Sequence, residues 1–173
     1  MSYSTLYIHI TKSNKYCSFF KDVHLMTFNP DLDLIKYKEA GADQITFHYE
    51  SVEKDTIVEL IKKIKDLGMK VGISIKPTTN VEDIKEYLEY LDLVLVMSVE
   101  PGKGGQKFMQ ASIEKIRWLK ENRKNNKYLI SVDGGINDIT SEFVKWAGAD
   151  VIVVGTYLTK EKITKEKVLS LMI

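Results

Sequence analysis

Two kinds of apolar pattern alternate along this chain, and that alternation constrains its fold more than any other feature. Short β-branched or apolar runs stand at Leu6–Ile10, Val23–Met26, Gln44–Tyr49, Lys70–Ile75, Leu93–Ser98, Tyr128–Val132 and Asp150–Val154. Two of them, LVLVM and VIVV, are nearly continuous in apolar residues, as suits strands covered on both faces of a parallel sheet. Between the runs lie longer segments whose apolar residues recur every three or four positions. In Thr56–Leu67, Ile57, Leu60, Ile61, Ile64 and Leu67 form one stripe while Lys and Glu fill the other face. Ser112–Lys124 and Ile139–Ala147 read the same way. Asp31 follows Pro30 ahead of a helical run, and Gly41, Gly68 and Gly148 follow helical stretches in A-G-A-D, L-G-M-K and A-G-A-D.

Strand alternating with helix calls for parallel βαβ units. An open doubly wound sheet and a closed (β/α)8 barrel both satisfy the periodicity. The residues able to do chemistry (His9, His24, His48, Pro77, Glu100, Asp133, Gly155) follow several different strands, as in a barrel whose site is built from all the βα loops. An open sheet would gather them at one switch point. The expected fold is therefore α/β, of the (β/α)8 TIM-barrel type. Such a barrel takes about 200–250 residues, and this chain has 173. About seven strands are expected rather than eight, with the shortage at the N-terminus, where only TKSNKYCSFFKD separates the first two runs. One barrel domain over residues 1–173, atypical at 1–20, is the expected organisation.

Charge excludes several partners. There are 25 basic and 24 acidic residues, for a formal net charge of +1, so no global field directs the chain to nucleic acid or an anionic membrane. The Lys/Glu-rich faces at 53–66 and 114–127 mix both signs and read as solvated surface. The single cysteine, Cys17, rules out an internal disulfide and fits a reducing compartment. No apolar run approaches the roughly 20 residues of a membrane span, and MSYSTLYIHITKSNKY lacks the features of a secretory signal. A soluble cytoplasmic protein is the expectation, with a homo-oligomer left open.

Glycine-bearing segments follow the last three expected strands: Pro101-Gly-Lys-Gly-Gly-Gln106, Asp133-Gly-Gly135 and Gly155-Thr156. Any one glycine there would serve a tight βα turn. Together, in the last βα loops of a barrel, they favour a phosphate cradle. The spacing is not that of a P-loop. All three histidines lie in or at the end of strands, in YIHIT, DVHLM and TFHYE. Each alone suits a hydrogen-bonded interior position. With Asp133, His9 and His24 could converge on one divalent ion such as zinc, iron, manganese or cobalt. Asp133 is the strongest acid/base candidate, because a carboxylate ending the apolar strand YLISV is costly unless paired, metal-bound or functional. Glu50, Glu100 and Asp22 are weaker carboxylates near strand ends. Met26, Met97 and Phe108 suit plain core roles better than a pocket lining.

These residues carry a resemblance. DVHLM at 22–26, NP at 29–30, AGAD at 40–43, TFH at 46–48, GMKVG at 68–72, IKP at 75–77, VMSVEPGKGGQKFM at 96–109, VDGGI at 132–136 and AGAD at 147–150 resemble the ribulose-phosphate 3-epimerases, in order from about residue 20 onward. That family's fold is a ribulose-phosphate-binding (β/α)8 barrel. The resemblance implies interconversion of D-ribulose 5-phosphate and D-xylulose 5-phosphate, a step of the pentose phosphate pathway, by proton transfer at C3 assisted by one divalent metal. It implies metal ligation by His9, His24 and Asp133, with Asp133 also as acid/base. It further implies substrate contacts from His24 and the loop Gly102, Lys103, Gly104 and Gly105, and phosphate contacts from Gly134, Gly135, Gly155 and Thr156.

The chain departs from the family's pattern at the front. The first strand's P-S-I-L-S type motif has no counterpart, and the H-x-D strand reads His9-Ile10-Thr11, so a threonine stands where the family has a catalytic aspartate. The M-D-G-x-x-V-P-N loop is replaced by KSNKYCSFF, and Lys103 stands where the family usually has phenylalanine. A threonine hydroxyl cannot replace a carboxylate in proton transfer near neutral pH. Two alternatives therefore stand beside a full epimerase: a non-catalytic phosphosugar-binding barrel fragment, and an epimerase for another ketose phosphate.

Overall fold

Every apolar run from Val23 onward is a strand. The computed structural model describes residues 19–160 and 162–172, in which β1 is Asp22–Leu25, β2 Gln44–His48, β3 Lys70–Ile75, β4 Leu93–Met97, β5 Leu129–Asp133 and β6 Val151–Val153. Six strands thus stand among the described residues, against about seven expected. The run at Leu6–Ile10, with His9, Thr11 and Cys17, lies outside the described residues. Among the described residues no helix is long and apolar enough to cross a membrane.

The chain divides into two compact units, Met1–Ile73 and Ser74–Ile173. In the first, β1 pairs with β2 in parallel, from Asp22 opposite Gln44 to Leu25 opposite Phe47. Helix α1 (Leu34–Glu39) joins them, and α2 (Ile57–Asp66) leads from β2 to β3. The stripe read from the sequence is the buried face of α2: Ile57, Leu60, Ile61 and Ile64 are all buried, and Val58 points outward. Each such aliphatic side chain contributes about 1.5–3 kcal/mol relative to an exposed one.

In the second unit β4 and β5 pair in parallel from Leu93–Leu129 to Met97–Asp133, and β5 pairs in parallel with β6. Leu93, Leu95, Met97 and Val99 form one buried cluster, and Val94 and Val96, on the other face of the same strand, are fully buried too. Burial on both faces is why LVLVM is apolar throughout. Met97 is a core residue as expected, whereas Met26 is exposed. Helices α3 (Ser112–Asn122) and α4 (Asp138–Ala147) follow β4 and β5, and short α5 (Thr156–Thr159) and α6 (Lys165–Leu169) follow β6.

The repeated A-G-A-D has one structural explanation in both copies. Gly41 (φ 89°) and Gly148 (φ 116°) turn the chain out of α1 and α4 in the left-handed region, and the next N–H closes the turn onto a helix carbonyl, Ala42 to Tyr37 and Ala149 to Val144. The aspartate two residues past each glycine then accepts a backbone N–H at the start of a neighbouring strand. Lys21 N donates to Asp43 Oδ2 at 2.8 Å, and Ile130 N to Asp150 Oδ2 at 2.8 Å. Asp150 also pairs with Arg123. Gly68 (φ 71°), with Met69 N donating to Ile64 O, ends α2 the same way.

One element is not among the helices read from the sequence. Val81–Tyr90 forms a long 3-10 helix, capped by the Asn80 side chain accepting from Glu82 N. Its buried residues are Val81, Ile84, Tyr87 and Leu88, one apolar face that both three- and four-residue spacing supplies.

Candidate active site

Within each unit, strand ends position the candidate residues. In the second, β5 runs Leu129-Ile-Ser-Val-Asp133, so the pleat that buries Ile130 and Val132 delivers Asp133 at the carboxyl end of the strand. Burial raises the Asp133 pKa above the ordinary aspartate value, and desolvation is the sole cause. Asp133 is not the cap of the following helix. Asn137 is, its side chain accepting from Ile139 N and Thr140 N. The carbonyls of Asp133 and Gly134 are pinned from β4: Ser98 Oγ donates to both, at 3.0 and 2.6 Å, and Ser98 N donates to Asp133 O at 2.8 Å.

The glycines after Asp133 are required by close approach. Gly134 (φ 126°) and Gly135 (φ 63°) are both left-handed, and a Cβ on Gly134 would stand 2.6 Å from Val99 Cγ2. The loop after β4 is braced by Gln106, whose Nε2 donates to the carbonyls of Glu100 and Lys103 at 2.6 and 2.7 Å. Within it Gly102 (φ 104°) and Gly105 (φ 74°) are left-handed, and Lys103 is exposed.

Gly104 and Gly105 approach Thr156. A Cβ on Gly104 would lie 3.5 Å from Thr156 Oγ1, and one on Gly105 4.0 Å from it. The loops after β4 and β6 therefore meet at a hydroxyl. Gly155 precedes α5, and the space its side chain would occupy is open, with nothing within 4 Å. Leu158 N and Thr159 N donate to Gly155 O at 3.0 and 3.1 Å, and glycine, hydroxyl and helix-start N–H groups together are the chemistry of an anion cradle.

The first unit contributes a histidine pair. His24 on β1 and His48 on β2 meet with Nε2 to Nε2 at 2.9 Å, and His48 Nδ1 faces Glu50 Oε2 at 3.4 Å. Burial first, and the neighbouring His48 second, lower the His24 pKa to about 4, so at neutral pH this imidazole is uncharged and keeps a lone pair. Asp22 belongs to the other end of β1. Its Oδ1 accepts from Thr46 Oγ1 at 2.7 Å, and its pKa is raised by desolvation against the lowering effect of hydrogen bonds from Thr46 and Gln44. It is a structural carboxylate rather than a site residue. A separate cavity of about 350 Å³, lined by residues including Phe28, Asn29, Glu53, Thr56 and Lys63, contains neither histidine.

For a divalent ion, the described residues offer suitable donors in His24, a neutral imidazole, and Asp133, a carboxylate whose pKa no hydrogen bond lowers. Among the described residues no group of three or more His, Cys, Asp or Glu is gathered for a metal. His9 lies outside the described residues. The sequence reading does not single out Ser98 and Gln106, which hold the loops; it names His48 and Glu50 as candidates but not their contacts with His24 and with each other.

Similar proteins carry the same frame. By fold, the chain resembles 3-hexulose-6-phosphate synthase (TM-score 0.73, 19% identity, covering 96% of this chain and 78% of that one). It also resembles a tryptophan synthase complex from Pyrococcus furiosus (TM-score 0.71, 16% identity, 99% and 74%). Likeness at this identity shows a fold, and the fold is the (β/α) barrel type expected from the sequence. By sequence it is 47% identical over 137 residues to the ribulose-phosphate 3-epimerase of Aquifex aeolicus, covering 78% of this chain and 61% of that protein. It is 43% identical over 148 residues to that of Schizosaccharomyces pombe, covering 86% and 61%. The chain thus spans about three fifths of the length of these curated relatives. A family model for ribulose-phosphate 3-epimerases matches residues 5–159, a span holding the desolvated Asp133, both glycines behind it and the His24 strand. On that match, this chain belongs to the ribulose-phosphate 3-epimerase family.

Proposed function

We propose that the chain is an epimerase-type isomerase acting at C3 of a pentulose 5-phosphate, with D-ribulose 5-phosphate and D-xylulose 5-phosphate as the pair it interconverts. The observation that carries this reading is Asp133: a carboxylate at the end of an apolar strand, with its pKa raised by burial and two left-handed glycines directly behind it. A raised pKa brings the carboxylate nearer the working pH, where it can both take and return a proton. Asp133 takes the C3 proton from one face of the sugar. Thr156 Oγ1 and the N–H groups that open α5 bind the phosphate, and the loop held by Gln106 closes on the sugar.

His24 and Asp133, with His9, are the residues of this chain that would hold the family's divalent ion. When bound, that ion stabilises negative charge developing on the substrate oxygens. His24 would supply a neutral imidazole to it. Thr11, in the aspartate position of the H-x-D strand, leaves the second face without a carboxylate. That substitution favours a second reading, in which the chain binds the phosphosugar and exchanges its proton with little inversion.

The test is solvent exchange. D-Ribulose 5-phosphate incubated in D2O with the protein is expected to gain deuterium at C3, and Asp133→Asn is expected to stop it. An inert parent protein, or exchange that survives in Asp133→Asn, overturns the assignment.

A further inference from the structure

We infer that Glu50 and His48 form a positioning array that fixes the tautomer of His24, placing the hydrogen on its Nε2 and leaving the lone pair on its Nδ1. The inference deepens the reading above, in which His24 serves the reaction. Three observations carry it. His24 Nε2 and His48 Nε2 are 2.9 Å apart, so one of the two bears a hydrogen and the other accepts it. His48 is buried at 5% exposure, and its Nδ1 has no hydrogen-bond partner within ideal geometry. The carboxylate oxygen Glu50 Oε2 stands 3.4 Å from that Nδ1.

For neutral rings two arrangements are open. In one, His48 carries its hydrogen on Nε2 and donates it to His24. His48 Nδ1 is then a bare lone pair directed at a carboxylate oxygen in a buried setting, which is repulsive, and neither atom gains a bond. In the other, His48 carries its hydrogen on Nδ1, toward Glu50, and its Nε2 accepts from His24 Nε2–H. Both contacts are then attractive, and the carboxylate gains a charge-assisted donor. The carboxylate selects the second arrangement, and His48 transmits the choice to His24. The ring centroids stand 4.7 Å apart with the planes tilted by 35°. Carboxylate–imidazole arrangements that orient a working histidine are a general device. Here it acts through one intervening ring.

Glu50 and His48 do not touch the substrate in this account, so the readout is the tautomer itself. The chain has three histidines, few enough to resolve in long-range 1H–15N spectra of labelled protein at pH 8, with chelator and without substrate. The expected result is His24 protonated on Nε2 and His48 on Nδ1 in the parent protein. In Glu50→Leu the preference should be lost, and Glu50→Asp should keep it. The parent spectrum decides the matter even if Glu50→Leu fails to fold: His24 bearing its hydrogen on Nδ1, or a doubly protonated His48 at this pH, overturns the inference. Tautomers unchanged in a folded Glu50→Leu protein overturn it as well. An inactive chain showing the expected tautomers refutes only the epimerase reading. An active chain with the opposite tautomer refutes only the array.

Discussion

Gly135 lies against the backbone of Phe108 so closely that a methyl group on its α-carbon would stand 2.5 Å from the Phe108 nitrogen and 2.8 Å from its α-carbon. The contact joins the loop after β5 to the loop after β4, and both partners are main chain, which cannot swing aside. Gly135→Ala should therefore be destabilising, by about 1 kcal/mol from its left-handed φ of 63° and a further 1–3 kcal/mol, roughly, from overpacking. Chemical denaturation of the variant should show a lower midpoint. A midpoint equal to the parent's would mean that the two loops part freely.

Gly155 behaves differently. No atom lies within 4 Å of the position its side chain would take, so Gly155→Asp should leave the melting temperature near the parent's. The new carboxylate would occupy the cradle and repel a phosphate. Calorimetric titration with a pentulose phosphate should show binding to the parent and none to the variant. Equal affinity for both would remove Gly155 from the phosphate site. The two glycines differ in packing, one against backbone and one beside open space, although the sequence reading gives both the same role.

That contrast shows what the sequence could and could not say. Alternation of apolar periods was enough to find the strands, and the stripe Ile57, Leu60, Ile61 and Ile64 to find α2, because burial of one face is a local pattern. Gly148 and Asp150 were legible as a helix end. That Asp150 also accepts Ile130 N was not, since the partner stands 20 residues away. The bonds of Ser98 and Lys115 were invisible for the same reason, while Gln106 bonds carbonyls only six and three residues back in its own loop. Lys115 Nζ donates to the carbonyls of Lys76, Pro77 and Thr79 at 2.6–2.8 Å, a clamp on the loop after β3 that no spacing announces. The helix Val81–Tyr90 did leave a signal, the apolar face Val81, Ile84, Tyr87 and Leu88, but its polar remainder and the single turn-forming Asn80 ahead of it make that face weaker than the stripe of α2. The Glu50–His48–His24 contacts needed the parallel register of β1 on β2 to be seen at all.

Acidification should destabilise the protein through His24. Its folded pKa of about 4 lies below the ordinary 6.5, so between those values the unfolded chain binds more protons than the native one, and stability rises with pH. The contribution is complete above pH 6.5 and is lost as pH falls toward 4. Between pH 8 and pH 5 it amounts to about 2 kcal/mol. Asp133 and Asp22, raised by desolvation, act in the opposite sense, since native carboxyls there take up protons before unfolded ones. Urea midpoints at pH 8 and 5 should fall in the parent, and fall by less in His24→Gln. A parent and a His24→Gln protein that lose equal stability between pH 8 and pH 5 would contradict the burial of a neutral His24.

The last prediction concerns the second face of the sugar. Epimerisation removes the C3 proton from one side and returns one to the other, so it needs two acid/base groups, and Asp133 can serve one of them. In the H-x-D strand of the family the other carboxylate follows the histidine by two residues, and here that position is Thr11. Losing a general acid/base costs about 10²–10⁴-fold. The parent chain should therefore exchange deuterium into C3 faster than it forms D-xylulose 5-phosphate. Thr11→Asp should raise product formation toward the rate of exchange, by about 10²-fold or more, and leave exchange itself little changed, because the proposed role of Asp133 is to supply that step. The double variant Thr11→Asp, Asp133→Asn should lose both, which ties the gain to a two-carboxylate mechanism rather than to improved binding. Following C3 deuterium and D-xylulose 5-phosphate in the same reaction measures both rates together. If the parent already forms product as fast as it exchanges the proton, Thr11 is no handicap and a different group, Glu50 or Glu100 among the carboxylates near strand ends, serves the second face.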